Sequence, residues 1–422
     1  MKPQNKFQKQ VLTLSNKLPA ITAAQYNWGY RNCIEHIGRR TKNGLISCLE
    51  CGHSWTNKTA LKHCFCPQCQ AKLIIKDTKQ RVFNDYQYLC LITSYEGFQV
   101  LRFLYIDYRA KVGEKAQYFH SEVVQRWIAP DGKFATLARL RPMGFFVHTW
   151  SFHSPLELRP EKPLYNITPT CVYSRQSLIP EIKRSGYSKQ FFGLTPFDFF
   201  QYLLDENKAE TLLKTGQTGL FKFFALNNYQ NINDYWASIR ICIRNNYEIV
   251  DASMWCDYMD LLRFFGKDLY NANYVCPADL QKEHDRYVRK KREYMEQQRR
   301  EEAKKKALED EAEFRQMKSR FFGICFTDGL VQVKVLESVE EVRQEGDALH
   351  HCVFTNDYHL KPGSLILSAR VNGQRMETIE LSLTKLKVVQ SRGLLNENTE
   401  YHDRIVKLVN KNVPLIQKRM VV

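Results

Sequence analysis

Two Cys-x-x-Cys pairs, Cys48-Leu-Glu-Cys51 and Cys66-Pro-Gln-Cys69, constrain this chain more than any other feature. A turn of this kind delivers two thiolates from one tight loop. Two such turns supply the four soft ligands that a tetrahedral Zn2+ takes at ~2.3 Å from each sulfur. Pro67 stiffens the second loop, and Gly52 permits a left-handed residue directly after the first. The apolar flanks, Leu45-Ile46 and Leu73-Ile74-Ile75, fit the short strands of a zinc ribbon. The segment is too small to own a core, so four coincidental buried thiols do not explain the pattern. The spacing therefore predicts one structural Zn2+ per chain on Cys48, Cys51, Cys66 and Cys69, with no coordination position open for catalysis. His53, His63 and Cys64 are nearby alternative ligands. The chain has 13 cysteines, an odd number. They read as metal ligands or buried thiols of a reducing compartment, not as a disulfide framework.

Charge gathers around the same segment. The 422 residues carry a formal net charge of +17, and residues 1–80 hold 13 Lys+Arg against 3 Asp+Glu. Zn2+ with four thiolates adds a local charge of −2 and leaves the segment at about +8. A patch of this sign and density points to a polyanion. The candidate phosphate contacts are Arg31, Arg39, Arg40, Lys42, Lys58, Lys62, Lys72 and Lys76. Zinc ribbons also dock proteins, and that alternative stays open. No apolar run approaches the ~20 residues of a spanning helix. Lys2, Lys6, Lys9 and Lys17 interrupt any apolar core of a signal peptide. The expectation is a cytoplasmic protein without membrane insertion.

The remaining pattern predicts an α+β multidomain chain. Residues 1–30 read as a basic N-terminal arm, a helix or a segment of low order, and 31–78 as the zinc ribbon. Residues 79–277 form a middle domain, with strands to about residue 155 and helices after it. Tyr88–Thr93 and Gln99–Ile106 are β-branched and aromatic runs around a Glu96-Gly97 turn, and Pro130-Asp131-Gly132-Lys133 marks another, so an antiparallel meander is expected. Thr195-Pro196, Asn233 and Asp251 are candidate helix starts. The dense aromatics from Phe191 to Phe224 read as core filling rather than base stacking. Residues 278–320 hold 25 charged residues of 43 and predict a long charged linker helix, a solvated spacer.

Residues 321–422 predict an α+β C-terminal domain with an antiparallel β-meander. A strand pair turns at Asp328-Gly329, and Ser338-Val-Glu-Glu341 is a capping box. Strands Ser364–Val371 and Gln374–Leu383 flank Asn372-Gly373, a hairpin turn, and Lys387–Arg392 follows. A helix from about Tyr401 to Lys411 closes the unit. Simple pairing across the hairpin sets Arg370 opposite Arg375 with Glu377 diagonal, a surface ion pair, and sets Glu380 opposite Leu365.

This domain also holds candidate catalytic residues. His351 and Cys352, with Glu380, Gln390 and Asn396 on nearby strands, supply a nucleophile, a base and orienting groups. A second reading competes with the first: Val339, Val342, Gly346, Leu349 and Cys352 share one helix face, which makes Cys352 a small buried hydrophobe. No acidic cluster has two-metal spacing, and no Walker or dinucleotide-binding glycine motif is present.

His351-Cys352-Val353, Tyr358, Ser364 to Arg370, Thr378-Ile379-Glu380 and Gln390-x-Arg392-Gly393-x-x-Asn396 together resemble the PcfJ-like family, encoded on conjugative plasmids, integrative elements and some phages. The resemblance implies a conjugative mobile element as the setting and transfers no catalytic role. The expected function is a zinc-containing, nucleic-acid-binding accessory protein of DNA transfer or maintenance. Its expected partners are nucleic acid, DNA rather than RNA, and other transfer proteins. An enzyme using Cys352 and His351, and a scaffold for transfer proteins, are the alternatives.

Overall fold

The N-terminal residues are helical and docked, so of the two expected forms, helix or arm of low order, the helix is the one found. In the computed structural model, which describes residues 1–57, 59, 61–142, 150–227 and 229–420, α1 spans Lys6–Ser15 and α2 spans Ala23–Cys33. Asn5 caps α1, and Thr22 with Gln25 forms a capping box on α2. The chain divides into two compact units, Met1–His284 and Asp285–Val422.

In the first unit, five short strands make the ribbon sheet: β1 (Ile37–Arg40), β2 (Leu45–Cys48), β3 (Ser54–Thr56), β4 (His63–Phe65) and β5 (Lys72–Asp77), in the order β3-β2-β1-β5-β4. The meander follows as β6 (Val82–Tyr95), β7 (Phe98–Lys111), β8 (Gln117–Ile128), β9 (Phe134–Ala138) and β10 (Glu157–Arg159). The turns fall at Glu96-Gly97 and at Pro130–Lys133, as expected. A short β11 (Cys171–Val172) pairs parallel to β6, so the sheet is not wholly antiparallel.

Both N-terminal helices cover one face of the meander. Val11 of α1 is fully buried with Phe98, Val100 and Trp127. Tyr26, Trp28 and Tyr30 of α2 pack on the core of Leu89, Leu104, Ile106 and Tyr108. Between the helices, buried Arg102 holds Glu122 with two bonds of 2.7 Å and donates to the Pro19 carbonyl at 2.7 Å. The other face carries Arg126, which donates to Thr136 Oγ1 at 2.6 Å and stacks 4.3 Å from the Phe197 ring.

Beyond α1 and α2, the described residues of this unit form α3 (Pro180–Arg184), α4 (Pro196–Asp205), α5 (Ala209–Lys214), α6 (Thr218–Leu226), α7 (Trp236–Arg244), α8 (Ala252–Phe264) and α9 (Ala272–Val275). Thr195 and Asp251 are the caps that were expected. Asn233 is not a cap; Asn231 caps a 3-10 turn ahead of α7. Phe199, Phe200, Phe221 and Phe224 are buried, so these aromatics fill a core.

The charged helix α10 runs from Leu280 to Lys318. Its C-terminal half is not a solvated spacer. Ala307 and Phe314 pack with Leu336, Val339, Val342, Phe354 and Ile366 in the second unit. Buried Lys318 donates to the carbonyls of Lys361 and Ser364 at 2.7 Å and Pro362 at 3.2 Å.

The second unit has β12 (Cys325–Thr327), β13 (Val331–Val335), α11 (Val339–Leu349), β14 (Ser364–Val371), β15 (Gln374–Ser382), β16 (Lys387–Arg392) and α12 (His402–Met420). Its strands form an antiparallel sheet in chain order. One face packs on α12 through Ile379, Leu381, Ile405, Val409 and Ile416. The other carries α11 and the end of α10. Helix α12 continues through Pro414 to Met420, beyond the end expected at Lys411.

Candidate metal centre and C-terminal pocket

The two Cys-x-x-Cys turns are built alike. Gly52 N donates to the Cys48 carbonyl and Gln70 N to that of Cys66, each at 3.0 Å. Gly52 and Gln70, the residues after each pair, both have positive φ, +79° and +60°. A Cβ on Gly52 would stand 2.9 Å from the Gly113 backbone, so a side chain is excluded there by contact as well as by conformation. The turns bring Cys48 Sγ to 3.8 Å from Cys69 Sγ, and Cys51 Sγ to 3.7 Å from Cys66 Sγ. A tetrahedron with metal–sulfur bonds of ~2.3 Å has edges of about 3.8 Å, so this donor set fits a tetrahedral metal ion. All four ligand atoms lie within 4.8 Å of one another.

The first turn is embedded in the unit. Its Glu50 carboxylate meets His36 Nδ1 and Tyr118 Oη, each at 2.8 Å, and Tyr108 Oη donates to the Leu49 carbonyl at 3.3 Å. The sulfurs sit on the sheet face of Leu73, Trp55 and Ile75.

The strand register sorts the expected phosphate contacts. Arg39 pairs with Lys76 across β1 and β5, and Phe65 with Lys72 across β4 and β5. Alternation along the strands puts Arg39, Lys72, Lys76, His63 and Phe65 on the face opposite the sulfurs. Phe65 is 63% exposed, and the sequence pattern does not single it out. Lys76 also reaches Glu35 at 3.0 Å, a pair open to solvent. Arg39 donates to the Thr78 carbonyl at 3.1 Å. Arg40 lies on the sulfur side, where it grips Asp77 with bonds of 2.7 and 2.8 Å. Arg31, Lys42 and Lys62 are exposed elsewhere on the segment. Lys58 lies outside the described residues.

In the second unit, all five residues singled out from sequence line one cavity. His351, Cys352, Glu380, Gln390 and Asn396 surround about 230 Å³, with Tyr358, Ile366 and Arg392 among the remaining walls. Two features of the fold create it. First, α11 ends at Leu349 because His350 takes a left-handed conformation, φ +53°. The chain then folds back over Gly346, where a Cβ would stand 3.0 Å from the His351 carbonyl oxygen. Cys352 therefore lies beyond the helix and exposed, which overturns its reading as part of a buried stripe. Second, β15 carries a bulge at Met376: Ala369 pairs with Glu377, whereas Arg370 pairs with Arg375. The extra residue moves Glu380 opposite Ile366 instead of Leu365. Ile366, Glu380 and Gln390 then form one row of the cavity floor, and Thr378 and Arg392 the next.

The bulge also corrects the expected surface pair. Glu377 is fully buried, facing α12, and takes bonds from Thr399 N at 2.9 Å, Thr399 Oγ1 at 2.6 Å, His402 Nδ1 at 3.0 Å and Ser391 Oγ. Burial pushes its carboxyl upward, but these donors outweigh burial and hold it below the usual glutamate value. Arg375 turns to the other face and pairs with Glu345 of α11 at 2.8 Å.

Within the cavity, Glu380 accepts from Ser364 Oγ at 2.5 Å and Gln390 Nε2 at 3.0 Å. His351 Nε2 meets the Gly393 carbonyl and Nδ1 lies 3.2 Å from Thr378 Oγ1. A carbonyl only accepts, so Nε2 donates to it. Both ring nitrogens are engaged, and the ring ties the Gly393 loop to Thr378 of β15. A further cluster, Asp310, Asp357 and His359, has ligand atoms within 4.8 Å of one another. Lys306 pairs with Asp357, and His359 Nε2 lies 2.9 Å from the Asp310 carboxylate.

Residues 254–406 match the family model described as PcfJ-like protein. The C-terminal region of this chain is PcfJ-like. The PcfJ-like region starts within α8 and ends within α12, and it includes every residue lining the cavity. The metal centre and the basic ribbon lie outside it. Neither a curated protein nor a solved structure matched the chain. Among the described residues, no helix is long and apolar enough to cross a membrane.

Proposed function

We propose that this chain is a nucleic-acid-binding accessory protein of a mobile genetic element, acting in DNA transfer or maintenance, with a structural Zn2+ on Cys48, Cys51, Cys66 and Cys69. The observation that supports binding is the grouping of Arg39, Lys72 and Lys76 with exposed Phe65 and His63 on the ribbon face opposite the sulfurs. The cations neutralise phosphates and release counterions. An exposed ring on a sheet edge stacks a base only when that base has left its duplex, so the partner is a single strand. A closed four-thiolate site is of the structural zinc type. The 13 unpaired thiols support a reducing, cytoplasmic setting. The PcfJ-like region supports association with a mobile element.

The test compares the full chain on a single-stranded oligonucleotide and on a duplex of the same length. The single strand binds more tightly, and Phe65→Ala removes the difference. Equal affinities for the two, unchanged by Phe65→Ala, would reject the assignment of this face.

A further inference from the structure

The cavity in the second unit has a chemistry distinct from the ribbon. Its floor holds a fixed carboxylate, Glu380, pinned on one oxygen by Ser364 and on the other by Gln390. A carboxylate has about four lone-pair sites, so one bond to each oxygen leaves both able to accept again. The bonds fix the group as a pair of adjacent acceptors. Such a pair matches two adjacent N–H donors. Among nucleobases, guanine alone presents that pattern on its Watson–Crick edge, through N1–H and the N2 amino group. Adenine and cytosine set one donor beside one acceptor, and thymine and uracil set one N–H between two carbonyls. The amide of Asn356 or Asn396, both on the wall, can donate to the guanine O6.

The rest of the cavity suits the same ligand. Val353, Ile366 and the Tyr358 ring give apolar lining, the surroundings that hold an unstacked base. A volume of about 230 Å³ lies below the ~300–1,000 Å³ of pockets for drug-sized ligands, and it admits one heterocycle. Arg392, exposed at the rim, gives Nη1 to Asn398 and carries further donors suited to a phosphate.

We propose that this cavity binds a guanine nucleotide, with Glu380 reading the base and Arg392 holding the phosphate. The nucleotide is either an unstacked guanine of a single strand or a free guanine nucleotide. The proposal stands on residues other than those of the ribbon, and either reading can fail alone.

Cys352, exposed on the wall, is a built-in reporter. The experiment alkylates the full chain with iodoacetamide and follows Cys352 by peptide mass spectrometry. GMP at saturation should slow its alkylation about tenfold, whereas AMP leaves it nearly unchanged. Glu380→Gln should abolish the protection, with each rate compared with that of the same variant without nucleotide. Arg392→Ala should weaken GMP about tenfold without weakening guanosine, which keeps the test valid if Glu380→Gln misfolds. Protection of wild type by an oligothymidylate with one guanine assigns the ligand to a strand, and protection by GMP alone assigns it to the free nucleotide. Equal protection by GMP and AMP, no protection by any of these, or full protection of Glu380→Gln would overturn the proposal. Pure oligothymidylate probes the ribbon and carries no guanine, so its binding reports on that reading separately.

Discussion

Cys48 Sγ lies 3.8 Å from Cys69 Sγ, nearly twice the ~2.05 Å of a disulfide and the spacing of two thiolates on one tetrahedral metal ion. The ribbon segment has a core of only a few side chains around these sulfurs. On the proposed Zn2+ assignment, metal binding supplies much of its stability, as in small zinc domains, where it contributes on the order of 10 kcal/mol. Elemental analysis should find one zinc per chain. Cys48→Ser should lose it and loosen the two cysteine turns, seen as protease cleavage between residues 48 and 69. A metal-free protein with a protease-resistant ribbon would contradict the assignment.

Gly52 tests the same centre from the backbone. Its positive φ and the 2.9 Å approach of Gly113 leave no room for a methyl group. Gly52→Ala should cost about 1–3 kcal/mol and speed metal loss to a chelator, measured by a colorimetric zinc indicator.

Buried Glu377 makes stability depend on acid pH. Its folded-state carboxyl is held below the ordinary value because Ser391, Thr399 and His402 outweigh the upward push of burial. The stabilisation is thus complete above the unfolded-state value of 4.5 and is lost as pH falls through the lower folded-state value. Glu377→Gln should cost about 1–3 kcal/mol at neutral pH and flatten the acid loss. Hydrogen exchange of the β15 amides, followed from about pH 6 to about pH 3, checks both effects.

Much of this architecture was legible because its chemistry is local. The cysteine pairs, the Ser338 capping box, the Thr195 and Asp251 caps and the Asn372-Gly373 hairpin each depend on a few adjacent residues. The bulge at Met376 has no such signature, and one inserted residue moved Glu380 by one register step and buried Glu377. The end of α11 was hidden for a similar reason: a left-handed helix end is usually marked by glycine, and here it is His350. In α1 only Val11 is buried, so the polar residues around it concealed a docked helix. Phe65 was missed because a sheet face emerges only once the register is known.

The Arg375–Glu345 pair shows how the bulge is held. Glu345 is fully buried and Arg375 is 30% exposed. Arg375→Ala strands the carboxylate and should cost about 2–3 kcal/mol, less than breaking a pair wholly out of water. Adding Glu345→Gln should recover part of the loss. Urea unfolding read at the second unit measures both, and simple additivity would contradict the coupling.

The most direct measurement is the salt dependence of single-strand binding by the full chain. The logarithm of affinity for oligothymidylate should fall linearly with the logarithm of salt concentration. Lys72→Ala with Lys76→Ala should reduce the slope by about 1.4, from two phosphate contacts at ~0.7 each. Phe65→Ala should weaken binding by about 1–3 kcal/mol at every salt concentration and leave the slope unchanged. A slope untouched by the lysine substitutions, or no binding at low salt, would contradict the account.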